Sequence, residues 1–281
     1  MIFFGPSGNS ESFYSEGYKS TWQAAKWIAE KGLNAYEYPF GRGVNITESA
    51  AEQIRSEMEK YGIAVSAHAP YFINLANPDA EKREGSFRYI LDTARALKWL
   101  GGTRMVVHTG AQMKMERNEA IKNCRAGLKE ALARLEDAGF GDMRLCIETM
   151  GKRSQIGDLE EIMALCELDE RLIPCIDFAH LHALKGGCLN SEADFSAVLD
   201  TMEHMIGKER AAGMHVHFST IEYTDAGEKR HRTFAEAEYG PRFENLAPLL
   251  KERDYHPTVI CECKGTMAED AAEMSRIWNE L

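Results

Sequence analysis

The sequence predicts a single (β/α)8 TIM barrel domain over residues 1–281, and three observations carry that prediction. Short apolar runs alternate with longer amphipathic stretches eight times, with no composition break, Ser/Gly linker or low-complexity tract between them. The length of 281 residues is long for one ordinary domain but typical of one such barrel. The later apolar runs also finish in His, Asp or Glu, and a barrel gathers its strand ends at one mouth. A doubly wound open sheet is the alternative, but it rarely needs eight regular units.

The units follow in order. An apolar strand over 2–4 precedes a helix over 20–31, and a second strand over 35–38 precedes a helix over 47–61 with a Ser/Thr/Glu-rich start. A strand over 64–68 ends in His68 and leads to a helix over 79–100. The next, over 104–108, ends in His108 before a helix over 115–138. The fifth, over 144–148, ends in Glu148 before a helix over 158–166. The sixth, over 172–177, is apolar and β-branched, ends in Asp177, and precedes a helix around 191–205. The seventh, over 214–218, contains His215 and His217, and a long loop separates it from a helix over 243–251. The eighth, over 258–262, ends in Glu262, and a helix over 267–281 closes the chain.

Composition narrows the function classes. The 44% hydrophobic content suits a globular protein with a large core, and no apolar run reaches the roughly 18 residues of a membrane span. The start, Met1-Ile-Phe-Phe-Gly5, lacks the basic and long apolar regions of a signal peptide. Seven cysteines stand singly, mostly in apolar runs, which suggests reduced thiols and a cytoplasmic location. Cys261 and Cys263 flank Glu262 without a zinc-ribbon spacing, so packing is their expected role. A net charge of −11 argues against a nonspecific nucleic-acid coat but leaves room for a local basic face.

The stretch Cys175-Ile-Asp-Phe-Ala-His-Leu-His-Ala183 carries the densest chemistry. Asp177 and His180 stand three apart just past a buried strand, where a carboxylate and imidazoles suit a metal ion better than a core. Six consecutive strands, from His68 to Glu262, end in such residues. A desolvated cluster of that size repels itself unless cations neutralise it, and it exceeds what one tetrahedral zinc needs. That points to two or three ions, the usual apparatus of phosphoester hydrolysis.

With these residues in hand, the chain resembles the endonuclease IV family of apurinic/apyrimidinic endonucleases, within the xylose isomerase-like barrels. The resemblance lies in His68-Ala-Pro-Tyr-Phe-Ile-Asn-Leu-Ala76, Val106-Val-His108, Ile147-Glu-Thr149, Cys175-Ile-Asp-Phe-Ala-His180, Gly213-Met-His215 and Ile260-Cys-Glu262. Phe3-Phe-Gly-Pro-Ser-Gly8 and His217-Phe-Ser-Thr-Ile-Glu-Tyr223 look closest to a branch found widely in archaea. The resemblance implies zinc, two or three ions with manganese as the substitute, and damaged duplex DNA as partner, cut 5′ to abasic sites to leave a 3′-hydroxyl. It implies that His68 and His108 hold a first ion, with Glu148 bridging to a second completed by Asp177, His215 and Glu262. His180 and His231 would hold a third, Tyr71 would lie near the damaged nucleotide, and Glu148 and Glu262 would be chiefly ligands, one also handling a proton. The departure is Glu228-Lys-Arg-His231: where better-known members have Asp two residues before the histidine, this chain has Lys229, so that Glu228 or water substitutes, or the third site is weak or missing.

Several residues stay open between two roles. His182 either orients a ligand or packs. His215 and His217 share a strand face, and His215 is preferred as the ligand because it matches the family. Arg42, between two glycines, either enters a DNA groove or is solvated, and Lys229, Arg230 and Arg232 form a basic cluster around His231 that could face phosphate. A sugar isomerase or epimerase on the same scaffold is the rival reading, using one ion on Glu148, Asp177, His215 and Glu262; a noncatalytic damage- or metal-binding protein is the third.

Overall fold

The computed structural model describes all residues, Met1–Leu281. The barrel strands are β1 (Phe3–Pro6), β2 (Ala35–Pro39), β3 (Ala64–His68), β4 (Arg104–Val107), β5 (Arg144–Glu148), β6 (Leu172–Asp177) and β7 (His215–Phe218). An antiparallel hairpin, β8 (Thr220–Thr224) and β9 (Gly227–Arg232), precedes the last barrel strand, β10 (Thr258–Cys261). The eight barrel strands pair in the order β1-β10-β7-β6-β5-β4-β3-β2, and a parallel bridge between Ser7 and Glu37 draws the two ends together. Gly5 permits that approach, because a Cβ there would lie 1.9 Å from the Ala35 carbonyl oxygen.

Helices cover the outside, each begun by local chemistry. Thr47 caps α3 (Glu48–Lys60) and Asp79 caps α4 (Ala80–Leu100), which ends at left-handed Gly101. Asp158 and Glu161 form a reciprocal capping box at α6 (Leu159–Cys166). The α2 helix (Ala24–Glu30), shorter than the expected 20–31, with α5 (Arg117–Asp137), α8 (Glu192–Ile206), α10 (Ala247–Glu252) and α11 (Met267–Glu280), completes the expected set, while short α1 (Glu11–Ser15), α7 (Phe178–Leu184) and α9 (Lys208–Ala212) fill connections. The expected strands all occur within a residue or two. The hairpin is new: 220–232 reads as loop because its charged residues carry no clean alternation.

Strand periodicity sorts the barrel into two faces. Met105, Val107, Leu145, Ile147, Ile176 and Val216 join the main core of 67 buried residues under the helices. Their neighbours Val106, Cys146 and Cys175 form a separate small cluster. Above that cluster stand Glu37, Ser66, Glu148, His215 and His217, all buried. A barrel of this kind usually stacks aliphatic layers inside; here the upper layers are polar and titratable. No helix is long and apolar enough to cross a membrane.

Candidate metal centre

Glu148, the last residue of β5, is the hub. Its Oε2 lies 3.3 Å from His68 Nε2 and 3.0 Å from His108 Nε2, and its Oε1 lies 3.0 Å from His217 Nδ1. Glu262, one residue past β10, brings Oε2 to 3.2 Å from the same His217 nitrogen. A second group stands beside this one: His180 Nε2 is 3.2 Å from His231 Nε2 and 3.5 Å from Glu228 Oε2. Donor atoms of His68, His108 and Glu148 all lie within 4.8 Å of one another, as do those of His68, His217 and Glu262, and those of Asp177, His180 and His231.

The residues present fit divalent ions on several counts. The outer nitrogens of His68, His180 and His231 are already held, which orients those rings. His68 Nδ1 donates to the Ala69 carbonyl at 2.8 Å and His180 Nδ1 to the Thr149 carbonyl at 2.9 Å, leaving each Nε2 lone pair turned to the site. Ser219 engages His231 Nδ1 at 2.7 Å. Asp177 uses Oδ1 to cap α7 through the His180 N–H at 2.8 Å, while its Oδ2, buried, has no hydrogen-bond partner. An orphaned carboxylate oxygen inside a ring of imidazole nitrogens is a ligand set for zinc or a similar ion.

Electrostatics tell the same story. Burial opposes ionisation of Glu148, but His217, His108 and His68 outweigh it and hold the carboxyl far below its usual range. Burial likewise opposes a charge on Glu262, yet His217 beside it brings its pKa down to about 2. Burial disfavours protonation of His68 and His180, but the Glu148 and Asp177 carboxylates raise both to about 9. Burial raises Asp177 despite His180. Protons on His68, His180 and His217 take the place that cations would fill.

The mouth is a cleft of about 360 Å³, and Tyr71, Lys152 and the metal-facing groups line it. Tyr71 and Phe72 project beside it, 47% and 50% exposed, with ring centroids 4.3 Å apart, and Arg42 Nε donates to the Tyr71 hydroxyl at 3.2 Å. Glu228 and His231 reach the site together through a bulge. Glu222 pairs with Arg230 and Tyr223 with Glu228, so Lys229 is an extra residue in β9. A regular strand would aim 229 and 231 the same way; the inserted residue gives 228 and 231 a shared direction instead. Lys229 and Arg230 are tied to the Glu222 carboxylate, as is Arg232. Gly151 lets the hairpin close in: a Cβ there would lie 2.7 Å from Glu228 Cβ and 3.0 Å from the His180 ring.

A family model, the xylose isomerase-like TIM barrel, matches residues 25–280. The chain belongs to that family, among the relatives of endonuclease IV. It is 34% identical to an uncharacterized protein of Methanocaldococcus jannaschii over 100% of this chain and 98% of the relative. It is 30% identical to a protein named probable endonuclease 4 from Shouchella clausii, over 80% of this chain and 78% of that one. Among solved structures, endonuclease IV from Thermus thermophilus superposes with a TM-score of 0.69 at 20% identity, covering 99% of this chain and 98% of that one. A D-tagatose 3-epimerase-like protein superposes with a TM-score of 0.72, also at 20% identity, covering 99% and 96%. At that identity the structural likeness speaks for the fold of the xylose isomerase-like barrels, not for one chemistry.

Within that family frame, the expected residues divide clearly. His68, His108, Glu148, Asp177, His180, His231 and Glu262 converge, with Tyr71 and Arg42 at the rim. His217, rather than the expected His215, stands beside Glu148 and Glu262, because β7 registers His217 with Asp177 and His215 with the deeper Cys175. His182 packs: its Nδ1 accepts from the Leu189 N–H at 3.0 Å and its ring meets Tyr223. Lys229 and Arg230 pair with Glu222, and the cation lining the cleft is Lys152, 4.0 Å from Glu228. Sequence reading passed over Lys152 and Glu37. For Glu37 a signal existed, since it sits two residues before the end of its strand and alternation turns it inward.

Proposed function

We propose that this protein hydrolyses the phosphodiester 5′ to abasic sites in duplex DNA, with two or three divalent ions, zinc or manganese, held by His68, His108, Glu148, Asp177, His217 and Glu262, and by His180, His231 and Glu228. The observation that carries the reading is Glu148 shared between ligand groups, with the His180–His231–Glu228 group beside it. Ions in such clusters activate water and neutralise charge developing on a phosphoryl group. Glu262, ionised at neutral pH, takes a proton from the attacking water as its oxygen bonds to phosphorus and the P–O3′ bond breaks, and a proton from solvent completes the departing 3′-hydroxyl. Tyr71 and Phe72 present aromatic faces to the unpaired nucleotide, Arg42 steadies Tyr71, and Lys152 meets a phosphate.

The sugar epimerase reading uses one ion on Glu148, Asp177, His217 and Glu262, and the acidic net charge favours it. It leaves the His180–His231–Glu228 group without employment. A labelled duplex with one abasic analogue, run beside a panel of ketoses, separates the two. Cleavage 5′ to the lesion that is lost on chelation, with at least two ions per chain by elemental analysis, is expected. Ketose epimerisation without nicking across several metals hands the case to the epimerase.

A further inference from the structure

Glu37 has no part in the scheme above, yet it is the most enclosed carboxylate in the barrel. It is wholly buried, one layer beneath the metal-facing groups. Its Oε2 accepts from the Ser66 hydroxyl at 3.0 Å and from His215 Nε2 at 3.0 Å. Its Oε1 lies 3.0 Å from Nε2 of His217, whose Nδ1 faces Glu148 and Glu262. That last approach is off the hydrogen-bond axis, and both atoms are otherwise unpartnered.

We propose that Glu37 is a positioning residue: through His217 it holds the imidazole with Nδ1 presented to the ion shared by Glu148 and Glu262, and Ser66 and His215 hold Glu37. A buried carboxylate retained without an ion of its own needs a reason, because desolvation disfavours its charge unless partners offset the loss. Two donors on Oε2 and the His217 ring against Oε1 supply the partners, and their geometry supplies the reason. A histidine binds metal through one nitrogen, and the group on the other sets its tautomer, ring plane and basicity. His68, His180 and His231 hydrogen-bond to a carbonyl or a hydroxyl through their outer nitrogens, whereas His217 faces a carboxylate there, which makes it an electron-rich donor. His215 and Ser66 then act at one remove, each occupying the second carboxylate oxygen and preventing Glu37 from turning away from His217. The inference rests on the metal-binding part of the proposed function and not on the choice of DNA as substrate.

The test reads ion binding without any substrate. Wild type, E37Q and S66A are stripped with chelator, checked for folding by circular dichroism and melting temperature, and titrated with Zn2+ against a competing chelator and with Co2+ by visible absorption. An amide at position 37 turns a donor toward a ring N–H or forces the other tautomer. Folded E37Q should bind its tightest ion about 10–100-fold more weakly with an altered cobalt spectrum, and S66A should weaken it a few-fold. Wild-type affinity and spectrum in folded E37Q overturn the assignment. If E37Q does not fold, S66A decides, and unchanged S66A binding overturns it. Wild type that binds no ion sinks the metal reading itself, whereas normal ion binding without DNA cleavage sinks only the substrate.

Discussion

Asp177 carries two tasks on one carboxylate, and they can be separated. Oδ1 caps α7, a contribution of about 1 kcal/mol, and Oδ2 is the buried oxygen left for an ion. D177N keeps an acceptor for the cap but removes the charge, so its melting temperature should change little while it loses an ion and essentially all turnover. Wild-type metal content in D177N refutes the ligand role. His68 and His180 lead to a pH expectation. Both values are raised from the ordinary 6.5 to about 9 in the ion-free fold. Protonation therefore stabilises the stripped protein fully below about 6.5 and fades as pH rises through 9. An ion must expel those protons, so affinity should climb between pH 6.5 and 9, with proton release visible by calorimetry in buffers of different ionisation heat. A flat affinity across that range contradicts the assignment.

At the scale of elements, the hairpin of β8 and β9 decides whether the second ligand group exists. It brings His231 and Glu228 over the barrel mouth, and it docks through the Glu228 N–H to the Gly151 carbonyl at 2.9 Å. G151A introduces a methyl where Glu228 and His180 already stand, so the hairpin must lift. The expected result is a folded barrel that retains the ions around Glu148 and loses one near His180, seen as a drop of one in metal stoichiometry. Unchanged stoichiometry and activity would show that the hairpin is not part of the centre. The bulge at Lys229 has its own consequence. Lys152 lines the cleft, while Lys229 is spent on Glu222. K152Q should weaken DNA binding and flatten the salt slope by about one unit, and K229Q should leave both near wild type. The reverse pattern returns the phosphate contact to Lys229.

For the whole molecule, a net charge of −11 requires that, on the proposed function, DNA be admitted at one place and repelled elsewhere. Only a few cations sit at the mouth, among them Arg42 and Lys152, so the slope of log affinity against log salt should correspond to a handful of phosphates. Ions in the centre then carry much of the attraction. Affinity for uncut abasic DNA, measured with a cleavage-resistant linkage, should collapse when the ions are stripped. Equal binding by stripped and loaded protein contradicts this.

Much of the molecule was legible in one dimension. Apolar runs of strand length alternating with amphipathic helices define a barrel because each unit must bury one face against the next, a local constraint that leaves a periodic trace. The convergence of His68, His108, Glu148, Asp177 and Glu262 was legible for the same reason: the parallel strands of a barrel all end at one mouth. What tertiary structure alone decided lies in depth and direction. His217 rather than His215 stands beside Glu148 and Glu262 because pairing with β6 and β10 sets the height of each β7 residue. Glu228, one of the substitutes the sequence left open for Lys229, turns toward His180 because a bulge against β8 shifts the strand by one position. Glu37 and Lys152 enter the account through partners far away in sequence, His215 and Glu228. Register and bulges depend on the neighbouring strand, so beyond the alternation that turns Glu37 inward, no window of sequence around these residues contains the information that places them.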